Sequence, residues 1–188
     1  MHHAFPCGTL ALDFVGTLRA RRNSEPAEKL SSPDLLDAWF TESGMLDEPA
    51  GANQDDLVSA LELREAIYEL VAARIHHTEL ADEDIAVVNR HAQGMPIGLQ
   101  LVKKRTERAG SSAQGLAALA RQAVEILGSD DAALLRECAR PECTQVYLDH
   151  SRGHRREWCA MRTCGNRVKA AQFRARQRMA ASVEDAAR

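Results

Sequence analysis

The chain has 188 residues, eight of them aromatic, with 24 lysines and arginines against 27 aspartates and glutamates and a formal net charge of -3. A chain of this length buries roughly 70% of the surface it exposes when unfolded, so it needs no disulfide framework; charged residues at 27% and hydrophobic ones at 45% exclude a wholly disordered, collagen-like or coiled-coil chain. No apolar run reaches the ~20 residues that cross a bilayer, and residues 10–18 are broken by Asp13 and lack a basic leader, which points to a cytoplasmic protein with no membrane partner.

Behind Gly8 and Thr9, Leu10, Phe14, Val15 and Leu18 fall at helical spacing and predict a buried helix over Thr9–Leu18. Ser24, Glu25 and Pro26 mark a loop. Ser32 before Pro33 fits an N-cap with proline at the first helical position, opening a short helix to about Glu42 with Leu35, Leu36, Trp39 and Phe40 on its apolar face. The strongest helical stretch runs from Asp55 to about His77, with Leu57, Leu61, Arg64, Tyr68, Val71 and Ile75 recurring every three or four residues. Arg64 interrupts that stripe: either it is buried and paired, or its stem lies along apolar surface while the guanidinium reaches solvent, and the second reading is favoured. His76 and His77 suit the negative end of the helix dipole.

Asp82, Glu83 and Asp84 open another helix, with Ile85, Val88 and His91 facing inward until Gly94 and Pro96 end it. Ile97, Leu99 and Leu101 then alternate with Gly98, Gln100 and Val102, which predicts a strand, half of a hairpin, before the basic run Lys103–Arg105. After a turn at Gly110, Ser111 and Ser112, an amphipathic helix carries Leu116, Leu119, Ala120, Val124 and Leu127 and stops at Gly128. Asp130 is expected to cap a last short helix through Leu134 and Leu135.

Charge divides the chain near Leu135. Residues 1–135 hold 12 basic and 21 acidic side chains, whereas residues 136–188 hold 12 basic and 6 acidic ones. The excess is sharpest from His150 to Arg178, where nine cations face the single acid Glu157, a density that attracts phosphate.

Four of the five cysteines fall in matched pairs within this basic part: Cys138-x4-Cys143, fifteen residues, then Cys159-x4-Cys164. A tight turn inside each pair lets both sulfurs point the same way and converge on one tetrahedral ion, so the pattern reads as a structural zinc site with one zinc per chain. Iron, or a redox-sensing use of the same thiols, is the alternative; disulfides would need an oxidising compartment. Residues 144–149 read as a strand, with Val146 and Leu148 on one side and Tyr147 on the other, and from Gly165 a helix can run to about Ala181. This order suggests a treble-clef-like finger whose last ligands sit at the helix start. On that helix Val168, Ala175 and Met179 share a face able to pack on the finger, flanked by Arg167, Arg174 and Arg178 on one side and Lys169 and Arg176 on the other. With Arg152, Arg155 and Arg156, these are the candidate phosphate contacts on duplex DNA. Arg167, three residues from Cys164, is more readily placed against a thiolate.

The stretch Cys159-Ala-Met-Arg-Thr-Cys164-Gly165-Asn166-Arg167, preceded by Tyr147-Leu-Asp-His-Ser151-Arg152 and Trp158, resembles the CGNR zinc finger. Gly8-Thr-Leu-Ala-Leu-Asp13-Phe-Val-Gly16-Thr17 is similar to the opening of the ABATE domain, which precedes that finger in bacterial proteins. The resemblance implies a stress-related transcription regulator, with the finger on DNA and the N-terminal domain sensing a small-molecule effector. Gly16 stands where that family usually has Asn.

The expected architecture is α+β and mostly helical: an ABATE-like helical domain with a small hairpin over residues 1–135, a zinc finger over 136–182 and a tail over 183–188. Its expected function is zinc-dependent DNA binding in transcription regulation, with the N-terminal domain sensing a ligand or forming a homodimer; the alternative is a protein-interaction or RNA-binding module. No Ser-His-Asp set, phosphate loop or His-Glu-x-x-His is present, so no enzyme is expected. A ligand site in the N-terminal domain would draw on Asp13, Trp39 and Arg64. Cys7 has no partner in sequence and reads as an inert buried thiol.

Overall fold

In the computed structural model, residues 3–186 are described, with side chains through Met179. The first helix, α1 (Leu10–Val15), starts where the Thr9 hydroxyl accepts the Leu12 N–H. It stops earlier than the periodicity predicts, because Thr17 turns its hydroxyl back onto the Phe14 carbonyl, 2.6 Å away. Leu18 therefore leaves the helix and enters β1 (Leu18–Arg19), which pairs with β2 (Ala27–Glu28). The predicted N-cap at Ser32 opens α2 (Pro33–Glu42), and Trp39 lies in the core against the rings of Phe5, Phe14 and Phe40.

Helix α3 (Gln54–His76) begins with a capping box between Asn53 and Asp56 and ends at His77, whose φ of 56° breaks the helical path. It is packed against α1, α2, α4 (Asp82–Ala92), α5 (Ser112–Leu127) and a later strand. Contact from so many sides widens its buried face to Leu57, Ala60, Leu63, Arg64, Ile67, Leu70 and Val71 and leaves Leu61, Tyr68 and Ile75 at the margin.

Arg64 does not reach solvent. Its guanidinium is 3% exposed and makes two 2.7 Å bonds to the Glu28 carboxylate, a 2.7 Å bond to Glu65 and a 3.2 Å bond to Thr17. The expected snorkelling conformation loses because β2 delivers a carboxylate to the site, and a bidentate pair satisfies the guanidinium fork where water cannot.

The predicted strand is one arm of an antiparallel hairpin, β3 (Gly98–Val102) and β4 (Arg105–Ala109). Ser111 and Gln114 form the capping box of α5, on which Val124 is 42% exposed rather than buried. Ser129, not Asp130, caps the short 3-10 turn Asp130–Leu134. Leu135 then opens β5 (Leu135–Glu137), which pairs with β6 (Val146–Leu148). A π turn at Met161–Gly165 leads into α6 (Asn166–Ala186). Of the expected tail, residues 187 and 188 lie outside the described part.

One hydrophobic core crosses the expected boundary at residue 135. Leu135, Val146, Tyr147 and Leu148 join the same buried cluster as Phe14, Trp39 and Ile67, and β6 packs on α1 while β5 packs on α3.

Candidate metal centre and nucleic-acid interface

Each half of the cysteine set is built by local backbone bonds. Cys143 N–H bonds the Arg140 carbonyl at 2.8 Å, closing the first turn, and Cys138 N–H bonds the Gln145 carbonyl at 2.9 Å, tying that turn to the strand that follows. Gly165 N–H bonds the Ala160 carbonyl at 3.2 Å and closes the second turn immediately before α6. Gly165 is not left-handed. Its lack of a side chain makes room for Met161 and the Trp158 ring, since a Cβ there would lie 2.2 Å from the Met161 sulfur.

All four Sγ atoms lie within 4.8 Å of one another and all four cysteines are buried and unbridged. Cys143 and Cys159 are separated by 3.7 Å, Cys159 and Cys164 by 3.6 Å. A tetrahedron with sulfur about 2.3 Å from its centre has edges of about 3.8 Å, so these separations fit a zinc tetrathiolate. They are far too long for a disulfide, in which sulfurs lie about 2.05 Å apart. Hydrogen bonds from the Cys143 and Cys159 thiols hold Cys138 below the ordinary thiol pKa, and the same bonds to Cys138 hold Cys143 and Cys159 above it. Bound zinc would supply structural cross-linking of the two turns.

Arg140 Nη1 lies 4.0 Å from Cys164 Sγ, within reach of a thiolate. Arg140 takes the place expected for Arg167, which is exposed at the start of α6. Its position between the two cysteines of the first pair was the available clue.

Arg156 is also placed differently from a surface phosphate contact. Its guanidinium donates to the Trp158 carbonyl at 2.9 Å, the Pro6 carbonyl at 2.9 Å and the Cys159 carbonyl, and it stacks 4.2 Å over the Tyr147 ring. Those bonds occupy its Nε and Nη2 and brace the backbone of a zinc ligand. Charge alone put it with the exposed arginines; only the fold brings Pro6 and Tyr147 to it.

The other candidates, Arg152, Arg155, Arg167, Lys169, Arg174, Arg176 and Arg178, are exposed. None has an acidic partner among the described residues. The apolar stripe of α6 does not pack on the finger as expected. Val168 is half-buried, but Ala175 is exposed and Met179 is 70% exposed, because α6 leaves the finger within its first turn and every residue from Lys169 to Met179 is exposed.

The segment before α1 ties the finger to the N-terminal helices. Cys7 donates its N–H to Asp13 Oδ1 at 2.8 Å, accepts the Leu148 N–H on its carbonyl at 3.4 Å and receives the Gln145 side-chain amide on its sulfur at 3.4 Å. Burial pushes the Cys7 thiol well above its ordinary pKa, as an inert thiol requires. Gln145 reaches Cys7 across Gly16, where a Cβ would stand 1.9 Å from its amide nitrogen. Gly16 thus admits a polar side chain from the finger. Burial raises Asp13 to about 6, against the hydrogen bonds from Cys7.

Asp13, Trp39 and Arg64 do not form one pocket. Asp13 lines a polar cavity of about 210 Å³ with Thr17, Arg19 and Lys29, Trp39 is packed among aromatic rings, and Arg64 is bound by Glu28 and Glu65. Among the described residues, no helix is long and apolar enough to cross a membrane.

Two family models match the chain. Residues 8–130 match ABATE, described as "Putative stress-induced transcription regulator", and residues 135–177 match the CGNR zinc finger. No curated protein matches the sequence. The second match begins at the residue that opens β5 and contains all four clustered cysteines, which assigns one zinc to the centre. With the first match covering well over half of its length, the chain belongs to the ABATE family and carries a CGNR zinc finger at its C-terminal end.

Proposed function

We propose that the protein binds duplex DNA through its zinc finger and α6 and acts there as a transcription regulator. The observation that carries this reading is the set of exposed cations on α6 with no acidic partner among the described residues, on a helix that starts two residues after the zinc ligand Cys164. A helix of about 11 Å diameter, basic along two rows and exposed from Lys169 to Met179, has the dimensions to enter a major groove about 12 Å wide. Zinc fixes the turn from which it departs. Stacking on single-stranded bases is less well supported: Tyr147 is buried and Trp158 half-buried, which leaves Phe173 as the exposed ring of the three.

The test is a fluorescence-anisotropy titration of zinc-loaded protein with a duplex over a range of salt. If Arg152, Arg155, Arg167, Arg174, Arg176 and Arg178 each meet a phosphate, log affinity falls against log salt with a slope of about -5. Arg174→Ala should reduce that slope by about 1. Absence of binding at low salt overturns the proposal and leaves the finger as a protein-docking module.

A further inference from the structure

The β3–β4 hairpin is two-stranded, and an isolated two-stranded ribbon is marginal in water unless something covers it. Its face nevertheless carries Leu99 at 67% and Leu101 at 81% exposure, beside Met95 at 73%. Leu99 lines the rim of an apolar cavity of about 290 Å³, together with Leu10, Met45, Ile97 and Leu119.

The backbone along the same edge is open. Val102 and Arg105 flank a two-residue turn, so pairs exchanging hydrogen bonds within the hairpin fall at Val102–Arg105, Gln100–Glu107 and Gly98–Ala109, and the residues between point their N–H and C=O groups outward. On the β4 side these outward groups are used: Arg108 donates its N–H to the Asp47 carboxylate at 2.7 Å and accepts the Asp47 N–H at 3.0 Å. On the β3 side the outward groups belong to Leu99 and Leu101, and neither has such a partner among the described residues. An edge without proline, bulge or inward charge is a template for another strand.

We infer that β3 pairs with β3 of a second copy of this chain, antiparallel about a two-fold axis through Gln100, to make a four-stranded sheet. In that register the sequence is self-complementary. Leu99 faces the partner's Leu101, Leu101 faces the partner's Leu99, and four leucines gather on one face over the two apolar cavities. The outward groups of both leucines then exchange bonds with their opposites. Charge favours the same arrangement. The hairpin carries Lys103, Lys104, Arg105 and Arg108 against Glu107, within a domain of 12 basic and 21 acidic side chains. An antiparallel pairing sends the two basic tips to opposite ends, each over the other copy's acidic domain.

The pairing makes Gln100 its own opposite at a non-hydrogen-bonded position, with Cα atoms about 4.5 Å apart, inside the about 4.4–6.8 Å range of a disulfide. In sedimentation equilibrium the zinc-loaded full chain should weigh twice its 20.7 kDa, and the Gln100→Cys variant should become covalently dimeric on mild oxidation while Lys104→Cys does not. Leu99→Glu with Leu101→Glu should give a monomer with unchanged helical circular dichroism. Leu101→Pro removes only an outward N–H and should weaken the dimer with the hairpin intact. A monomer at every concentration overturns the inference, as does a dimer indifferent to both leucine variants in which Gln100→Cys fails to cross-link. None of these readouts involves DNA.

Discussion

Asp13 is 4% exposed, and its carboxylate accepts the Cys7 N–H at 2.8 Å. Burial outweighs the hydrogen bonds from Cys7 and the charges of Arg156 and Arg19, so the acid rises from 3.8 to about 6. A carboxyl raised in the folded chain stabilises the fold while protonated: the contribution is complete below its unfolded pKa and is lost as pH climbs through about 6. The shift corresponds to about 3 kcal/mol. Asp13→Asn keeps an oxygen for the Cys7 N–H and cannot ionise. Between about pH 4 and pH 7 the native chain should therefore lose about 2–3 kcal/mol relative to the variant, read from urea midpoints at each pH. The comparison matters because Glu28 works in the opposite direction: burial pushes it up, but the bond from Arg64 prevails and holds it below its ordinary value. Equal pH profiles for the two proteins would show that Asp13 is adequately solvated. That Asp13 is buried could be read from its place in an apolar helix; that the helix turns it towards Cys7 could not, since the bond depends on how the preceding segment folds back.

At the level of elements, local chemistry was legible and distant pairing was not. Ser32 with Pro33 marks a helix start that the structure reproduces, the turn at Gly110, Ser111 and Ser112 precedes α5 as expected, and alternation over Ile97–Val102 finds β3. The strands β1, β2 and β5 escaped because two or three residues carry no period, and Leu135 is a strand residue only by virtue of Leu148 thirteen positions away. The same blindness affected the candidate DNA contacts. Counting charges groups Arg156 with Arg155, whereas the fold turns Arg156 inward to the Cys159 and Pro6 carbonyls and leaves its neighbour exposed. Arg156→Lys separates these roles, since lysine keeps the charge and loses the planar fork. A brace of a ligand's backbone should cost about 10–100-fold in zinc affinity when removed, measured by competition with a chromophoric chelator. Zinc affinity equal to that of the native chain would return Arg156 to the surface cations.

For the whole molecule, the charge boundary at residue 135 coincides with the start of the finger but not with a break in the core. The sequence divides into an acidic helical part and a basic metal-binding part, and composition gives no sign that Leu135, Val146, Tyr147 and Leu148 share a cluster with Phe14 and Trp39. Pairing between the parts is also polar: Arg22 meets Glu137 at 2.5 and 2.8 Å, and Arg21 N–H reaches Thr144 at 3.2 Å. A finger hung on a linker would melt alone when stripped of zinc and leave the helices untouched. Here β5 and β6 have α3 and α1 as their floor, so losing the metal should loosen strands that the helical core itself uses. Metal binding to small zinc modules supplies on the order of 10 kcal/mol of folding free energy, and the shared core passes part of that loss to the N-terminal domain. Calorimetry of the zinc-loaded chain should give one cooperative transition, and chelation, or Cys159→Ser with Cys164→Ser, should move that transition to lower temperature as a whole. A helical transition unmoved by chelation, with a separate small one lost, would show that the core is divided at residue 135 after all.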